Sequence, residues 1–132
     1  MDLDNLDDFT RAYFECALWS STCDDQSPMD DRYGIEDIEP DSVKDMIADC
    51  LDFRKQCAFL LSSQSDSQNG YDFWLTRNGH GAGFWDRGLG KRGELLTEVT
   101  KVCGPSTLYE NDECYLTMLL EKGDYSTVEE PE

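Results

Sequence analysis

Base is what this chain has least of. Its 11 Lys and Arg stand against 29 Asp and Glu, leaving a formal charge of −18 with the single His80 neutral. A field of that sign repels nucleic acid phosphate and anionic lipid, so direct binding to nucleic acid or to a membrane surface is not expected. None of the six cysteines (Cys16, Cys23, Cys50, Cys57, Cys103, Cys114) forms a Cys-x-x-Cys pair, and with one His the spacing of a zinc site is missing. No apolar run approaches the roughly 20 residues that cross a bilayer. Met1-Asp2-Leu3-Asp4-Asn5 has neither a basic region nor an apolar segment, so no secretory signal is expected. These gaps together point to a cytosolic protein with no metal and no cofactor.

What is present is enough for a core. A hydrophobic fraction of 39% with 11% aromatic residues is too rich for a disordered chain despite the charge. At 132 residues one domain over 1–132 is expected, with residues 1–5 and 121–132 frayed. Cys50 and Cys57, seven apart on a helical pattern, fall on one apolar face and read as buried, reduced thiols.

The chain is organised around Asp72-Phe-Trp-Leu-Thr-Arg-Asn-Gly-His-Gly-Ala-Gly-Phe-Trp-Asp-Arg-Gly-Leu-Gly90, which holds two of the three Trp and the only His. From residue 67 to 105 the charges sum to +1, so the rest of the chain carries −19. A near-neutral centre sits between acidic flanks.

Three helices are expected. Asn5 or Asp4 can cap the first, with Asp7 and Asp8 favoured by the helix dipole. Leu6, Phe9, Tyr13, Cys16 and Ala17 recur at helical spacing, Phe14 and Leu18 widen the apolar face, and Trp19 to Thr22 end the helix. Residues 22–34 form a polar loop whose four Asp lack calcium-loop spacing. Pro40 suits the first turn of a second helix, in which Val43, Met46, Ile47, Cys50, Leu51, Cys57, Ala58 and Leu61 make one face. Opposite them stand Asp41, Asp45, Asp49 and Asp52, with successive carboxylates about 6 Å apart along the axis, a separation similar to that of phosphates on one nucleic acid strand. Like charges at this spacing do not help the helix, so the stripe is either a solvated face or a surface with a use.

Ser62 to Gly70 reads as an exposed linker, and Phe73-Trp74-Leu75 as a strand or one helical turn. Gly79, Gly81 and Gly83 free the backbone for an irregular Gly/Trp-rich loop. Glu94 to Val102 reads as the third helix, stopped by Gly104-Pro105. Two short runs around Asn111-Asp112-Glu113 suggest a C-terminal β-hairpin. The expected fold class is α+β, mainly helical.

Gly88-Leu-Gly90-Lys-Arg-Gly93 matches the dinucleotide-binding glycine spacing and opens a helix. It lacks the buried parallel strand and the βαβ unit that reading requires. His80 with Asp72, Asp86 and Arg87 has the makings of an acid–base cluster, but no nucleophile or metal partner stands at a recognisable spacing. Arg77, His80, Trp85 and Arg87 also suit a protein-binding surface, since Trp and Arg are favoured anchors.

The Asp72–Gly90 stretch resembles a family of small bacteriophage-encoded proteins without an assigned function. Phe9-Thr-Arg-Ala-Tyr-Phe-Glu-Cys-Ala-Leu-Trp-Ser-Ser-Thr22 is similar to that family's first helix, and the likeness continues through Ile35–Ala48, covering most of residues 9–118. Members often have His where this chain has Tyr71, so no obligatory ligand is implied there. The resemblance implies expression in a bacterial host cytoplasm.

The leading expectation is an acidic phage-encoded accessory protein, not an enzyme. It would bind the basic surface of a host nucleic-acid-binding protein as a DNA mimic, in anti-defence or takeover of transcription or replication. Its partner-binding residues would be Asp41, Asp45, Asp49, Asp52, Arg77, His80, Trp85 and Arg87. A homodimer is left open. The alternatives are a binding module acting through the central Trp/Gly/Arg loop and a small enzyme using His80, Asp86 and Arg87.

Overall fold

A computed structural model describes residues 5–23, 25–79 and 82–110, and the backbone of 116–120. Among these residues the chain is mostly helical, with α1 (Asp8–Ser20), α2 (Pro40–Cys57), α3 (Asp66–Arg77) and α4 (Lys91–Cys103). Strand β1 (Ser106–Glu110) pairs antiparallel with β2 (Leu116–Leu120), with Ser106 opposite Leu120 and Glu110 opposite Leu116. The expected turn at Asn111-Asp112-Glu113 lies outside the described residues.

Local chemistry sets most of these boundaries. Asp7, not Asn5 or Asp4, caps α1, its carboxylate accepting from the Thr10 N–H at 2.7 Å. Pro40 opens α2 as expected, but the helix stops at Cys57, and a 3-10 turn (Leu60–Ser63) carries Leu60 and Leu61 into the core. The third expected helix is α4, running from Lys91 to Cys103 and ending at Gly104, which has φ +80°.

The number of helices is the main correction. Among the described residues there are four, and the extra one is α3, which absorbs most of the stretch read as an exposed loop (62–70) as well as the Phe73-Trp74-Leu75 run. Ser65 caps it by accepting from the Gln68 N–H at 3.2 Å. Ser62, Ser63, Ser65, Asp66 and Ser67 are exposed as expected, but the stretch is not all solvated linker. Asn69 is fully buried, donating to the Leu61 carbonyl at 2.8 Å and accepting from Gln64 at 2.8 Å. Those bonds satisfy an amide that would otherwise cost about 1–3 kcal/mol on burial.

Helix α1 runs through the centre. Its apolar face meets α2 and α3, and Phe14 and Leu18 on a second side are covered by the 22–38 segment, which buries Met29 and Ile38. Phe53 of α2 stacks on Phe73 of α3 at 4.1 Å between centroids and 10° between planes, and Phe9, Tyr13, Trp74 and Phe84 complete the aromatic centre. One core cluster collects residues from all four helices and Leu108 of β1. Five cysteines are free and buried, Cys50 and Cys57 among them, and Cys114 lies outside the described residues.

Gly70 sets the α1–α3 distance. A Cβ there would overlap the Phe9 carbonyl oxygen and stand 3.1 Å from the Ala12 Cβ. A glycine in mid-helix costs about 1 kcal/mol against alanine, so close approach of the two backbones is what the position supplies. Gly70→Ala is therefore expected to destabilise the protein by about 1–3 kcal/mol, the usual range for overpacking, despite its better helix propensity. Urea denaturation checks this, and a gain in stability would show that the helices can move apart freely.

Candidate functional site

Of the charged residues of the central stretch, Asp72 and Arg77 are buried, Arg87 is half-buried and Asp86 is exposed. Arg77 is 5% exposed and its guanidinium is shared among four acceptors. It donates to Asp49 of α2 at 2.8 Å, to the Tyr13 hydroxyl of α1 at 2.8 Å, and to the carbonyls of Gly104 and Cys103 at 2.9 and 3.3 Å. Burial pulls its pKa down, but Tyr13 and Asp49 outweigh that and hold it above the ordinary arginine value. Burial drives the Tyr13 phenol strongly upward, so it stays protonated.

Asp72 is fully buried and takes Arg87 in a forked pair, with Arg87 NH2 at 2.8 Å and Nε at 3.0 Å. Gln64 and Gln68 donate to the same carboxylate at 2.8 and 3.1 Å. Trp74 is buried, its indole N–H donating to Ser20 at 2.8 Å. Gly83 is wedged between the Trp85 ring and the Thr76 hydroxyl, where a Cβ would overlap both. The motif thus binds its own loop onto α3.

These placements revise the expected site. Asp49 and Arg77 are interior partners of one another and out of a binding partner's reach. Arg87 is committed to Asp72, and Trp85 is 46% exposed. His80 lies outside the described residues. The glycines of Gly88-x-Gly90-x-x-Gly93 follow a single 3-10 turn (Phe84–Asp86) rather than a parallel strand, and Gly93 lets α4 pack on the Phe84 carbonyl. No three His, Cys, Asp or Glu side chains converge on a metal position among the described residues, and no described helix is long and apolar enough to cross a membrane.

The acidic stripe survives in shortened form. At about 100° per residue, Asp41, Asp45 and Asp52 fall within about 40° of one another, whereas Asp49 is rotated a further 40° or so toward the apolar face. The first three are exposed. Removing Asp49 breaks the even pitch, leaving axial gaps of about 6 Å and about 10 Å.

A second surface feature was not read from the sequence. Between α1 and α3 lies an open cavity of about 560 Å³. Glu15 and Trp19, four residues apart on α1, form one wall, and Gln68, Tyr71 and Leu75 of α3 form the other. Trp19 is 65% exposed, and the Tyr71 hydroxyl donates to Glu15 at 3.2 Å. Asp30 closes one side, and the apolar part of the lining includes Cys16, whose thiol is pushed up to about 12 by burial and by Asp72. It is a protonated thiol, not a thiolate nucleophile. A signal did exist: Glu15 and Trp19 share the polar side of α1 with Asp8 and Arg11, away from Phe9 and Tyr13.

Comparison with family models, with curated proteins and with solved structures returns no match.

An interior role for Arg77 makes a stability prediction that a binding role does not. Arg77→Met leaves Asp49 buried without its cation and is expected to cost about 3–5 kcal/mol. Arg77→Met combined with Asp49→Leu should cost less than the two single changes added together, because no uncompensated charge remains. Denaturant titration of the four proteins measures the coupling, and strict additivity would refute the clamp.

Proposed function

We propose that the protein is a non-enzymatic acidic binder that docks on the basic surface of a nucleic-acid-handling protein and inhibits or modulates it. The observation that carries this reading is the division of charge. The two central arginines are bound to Asp49 and Asp72 in the interior, while Asp41, Asp45 and Asp52 stand exposed along α2. Each internal pair removes one charge of each sign, so the net −18 is carried outward with fewer surface cations to offset it.

Mimicry here is a matter of field more than of pitch, since the stripe lacks an even phosphate-like repeat. Such a field raises encounter rates with a basic partner and loses strength as salt is added. The likeness of the Asp72–Gly90 stretch to small phage-encoded proteins supports a bacterial host protein as the target.

Binding through the central loop loses Arg77, Arg87 and Trp74, which are engaged internally, and keeps the exposed Trp85. The enzyme reading loses Arg87 as a free substrate clamp for the same reason.

The test is capture from nuclease-treated bacterial lysate by the wild-type protein and by Asp41→Asn/Asp45→Asn/Asp52→Asn. A DNA- or RNA-handling protein should be held at about 0.05 M salt and released near 1 M, where the screening length falls to about 3 Å. Added duplex DNA should compete for it. The triple variant should hold it at least about tenfold less tightly, equivalent to about 1.4 kcal/mol. A partner held equally by the triple variant and indifferent to DNA would overturn the proposal.

A further inference from the structure

We infer that the cavity between α1 and α3 is a receptor for one arginine side chain projecting from the basic partner. The inference rests on the binder reading above and names the chemistry at one point of its interface. The cavity has the three elements that a guanidinium requires. The first is aromatic surface, from Trp19 (65% exposed) and Tyr71, since a flat cation stacks on such faces. The second is carboxylate: Glu15 is already oriented by the Tyr71 hydroxyl at 3.2 Å, and Asp30 has no hydrogen-bond or ion-pair partner among the described residues. The third is a partly apolar floor, where Leu18, Leu75 and the protonated Cys16 can lie against the three methylenes of the arginine stem.

Arg87 also lines the cavity, and its charge does not defeat the site. Its Nε and NH2 are committed to Asp72, with NH2 at 2.8 Å, so Glu15 and Asp30 remain the uncompensated charges. A volume of about 560 Å³ exceeds what one side chain fills, so the arginine enters with water or with part of its own backbone.

The distinction from the α2 stripe matters. Asp41, Asp45 and Asp52 attract any cation, whereas a cavity lined by two aromatic side chains and two carboxylates selects a planar cation by shape as well as charge. An exposed Trp beside a carboxylate is also the composition of an interface anchor.

The test uses the purified full chain and a blocked glycyl-arginyl-glycine tripeptide, followed by the backbone amide resonances and the Trp19 indole N–H resonance in heteronuclear NMR spectra. A saturable shift is expected. The citrulline analogue, isosteric but uncharged, should bind at least about tenfold more weakly, and the lysine peptide about threefold or more weakly. Trp19→Ala, at an exposed position, and Glu15→Gln should each reduce affinity at least about fivefold while leaving the circular dichroism spectrum and the Trp74 indole resonance unchanged. A citrulline peptide that binds as well as the arginine one, or shifts confined to the α2 aspartates, would overturn the inference. If the tripeptide occupies the groove while no basic protein is captured from lysate, the receptor stands and the proposed function falls. If a partner is captured through the α2 aspartates while the groove stays silent, the reverse holds.

Discussion

The fold depends on a buried cation. Arg77 projects from the last turn of α3 into a space bounded by α1, α2 and the end of α4, and it is satisfied by one group from α1, one from α2 and two carbonyls at the end of α4. Moving a guanidinium out of water costs several kcal/mol, and a single carboxylate seldom repays that. Here the Cys103 and Gly104 carbonyls add the negative end of the α4 dipole, and the Tyr13 hydroxyl contributes a further acceptor lone pair. The result is directional. Apolar packing of Phe53 on Phe73 tolerates some sliding, whereas four acceptors around one planar group fix how α1, α2, α3 and α4 meet.

That constraint explains why the central stretch looks functional in sequence and is engaged inwardly in structure. An Asp-Phe-Trp followed by two arginines has the composition of a binding site. Asp72, Phe73 and Trp74 point about 100° apart, yet all are buried because α3 is packed by α1, α4 and the 84–86 turn, and the arginines follow because buried carboxylates need partners. Asp72 draws Arg87 and with it the turn that carries Phe84 and Trp85, so the loop is folded back on α3. Asp72, Trp74 and Arg77 are thus out of a ligand's reach, whereas Trp85 and Asp86 stay exposed.

How much was legible follows the same physics. α2 was readable because Pro40, the apolar spacing and the flanking acids agree on one answer. α4 was readable from its Gly104-Pro105 stop. α3 was hidden because Ser, Gln and Asn in its first half resemble a linker. The correct signal, Ser65 three residues before Gln68, is a helix-start spacing that composition outweighed. Asp49 was misplaced because a stripe drawn at spacings of four drifts around the helix, by about 40° per step, until it reaches the core edge. The cavity is only half legible from α1, whose polar side carries an exposed Trp19 beside Glu15. Glu15 and Trp19 become a wall only when Gly70 lets α3 approach α1 closely enough to bring up Tyr71.

The surface charge itself argues for a use. Solubility in a small domain needs a net charge of about 2–8, and −18 lies well beyond that range. The excess works against the fold, because like charges at Asp41 and Asp45 disfavour the helix by a few tenths of a kcal/mol and the summed field opposes compaction. Where a carboxylate serves the structure, it has found its partner: Asp7 caps α1, Asp49 holds Arg77 and Asp72 holds Arg87. Asp41 is favoured by the dipole in the first turn of α2, whereas Asp45 and Asp52 have no such role. A charge pattern that the architecture does not need, that exceeds the demands of solubility and that costs stability is best understood through a partner. The sign of that pattern supports the proposed basic partner.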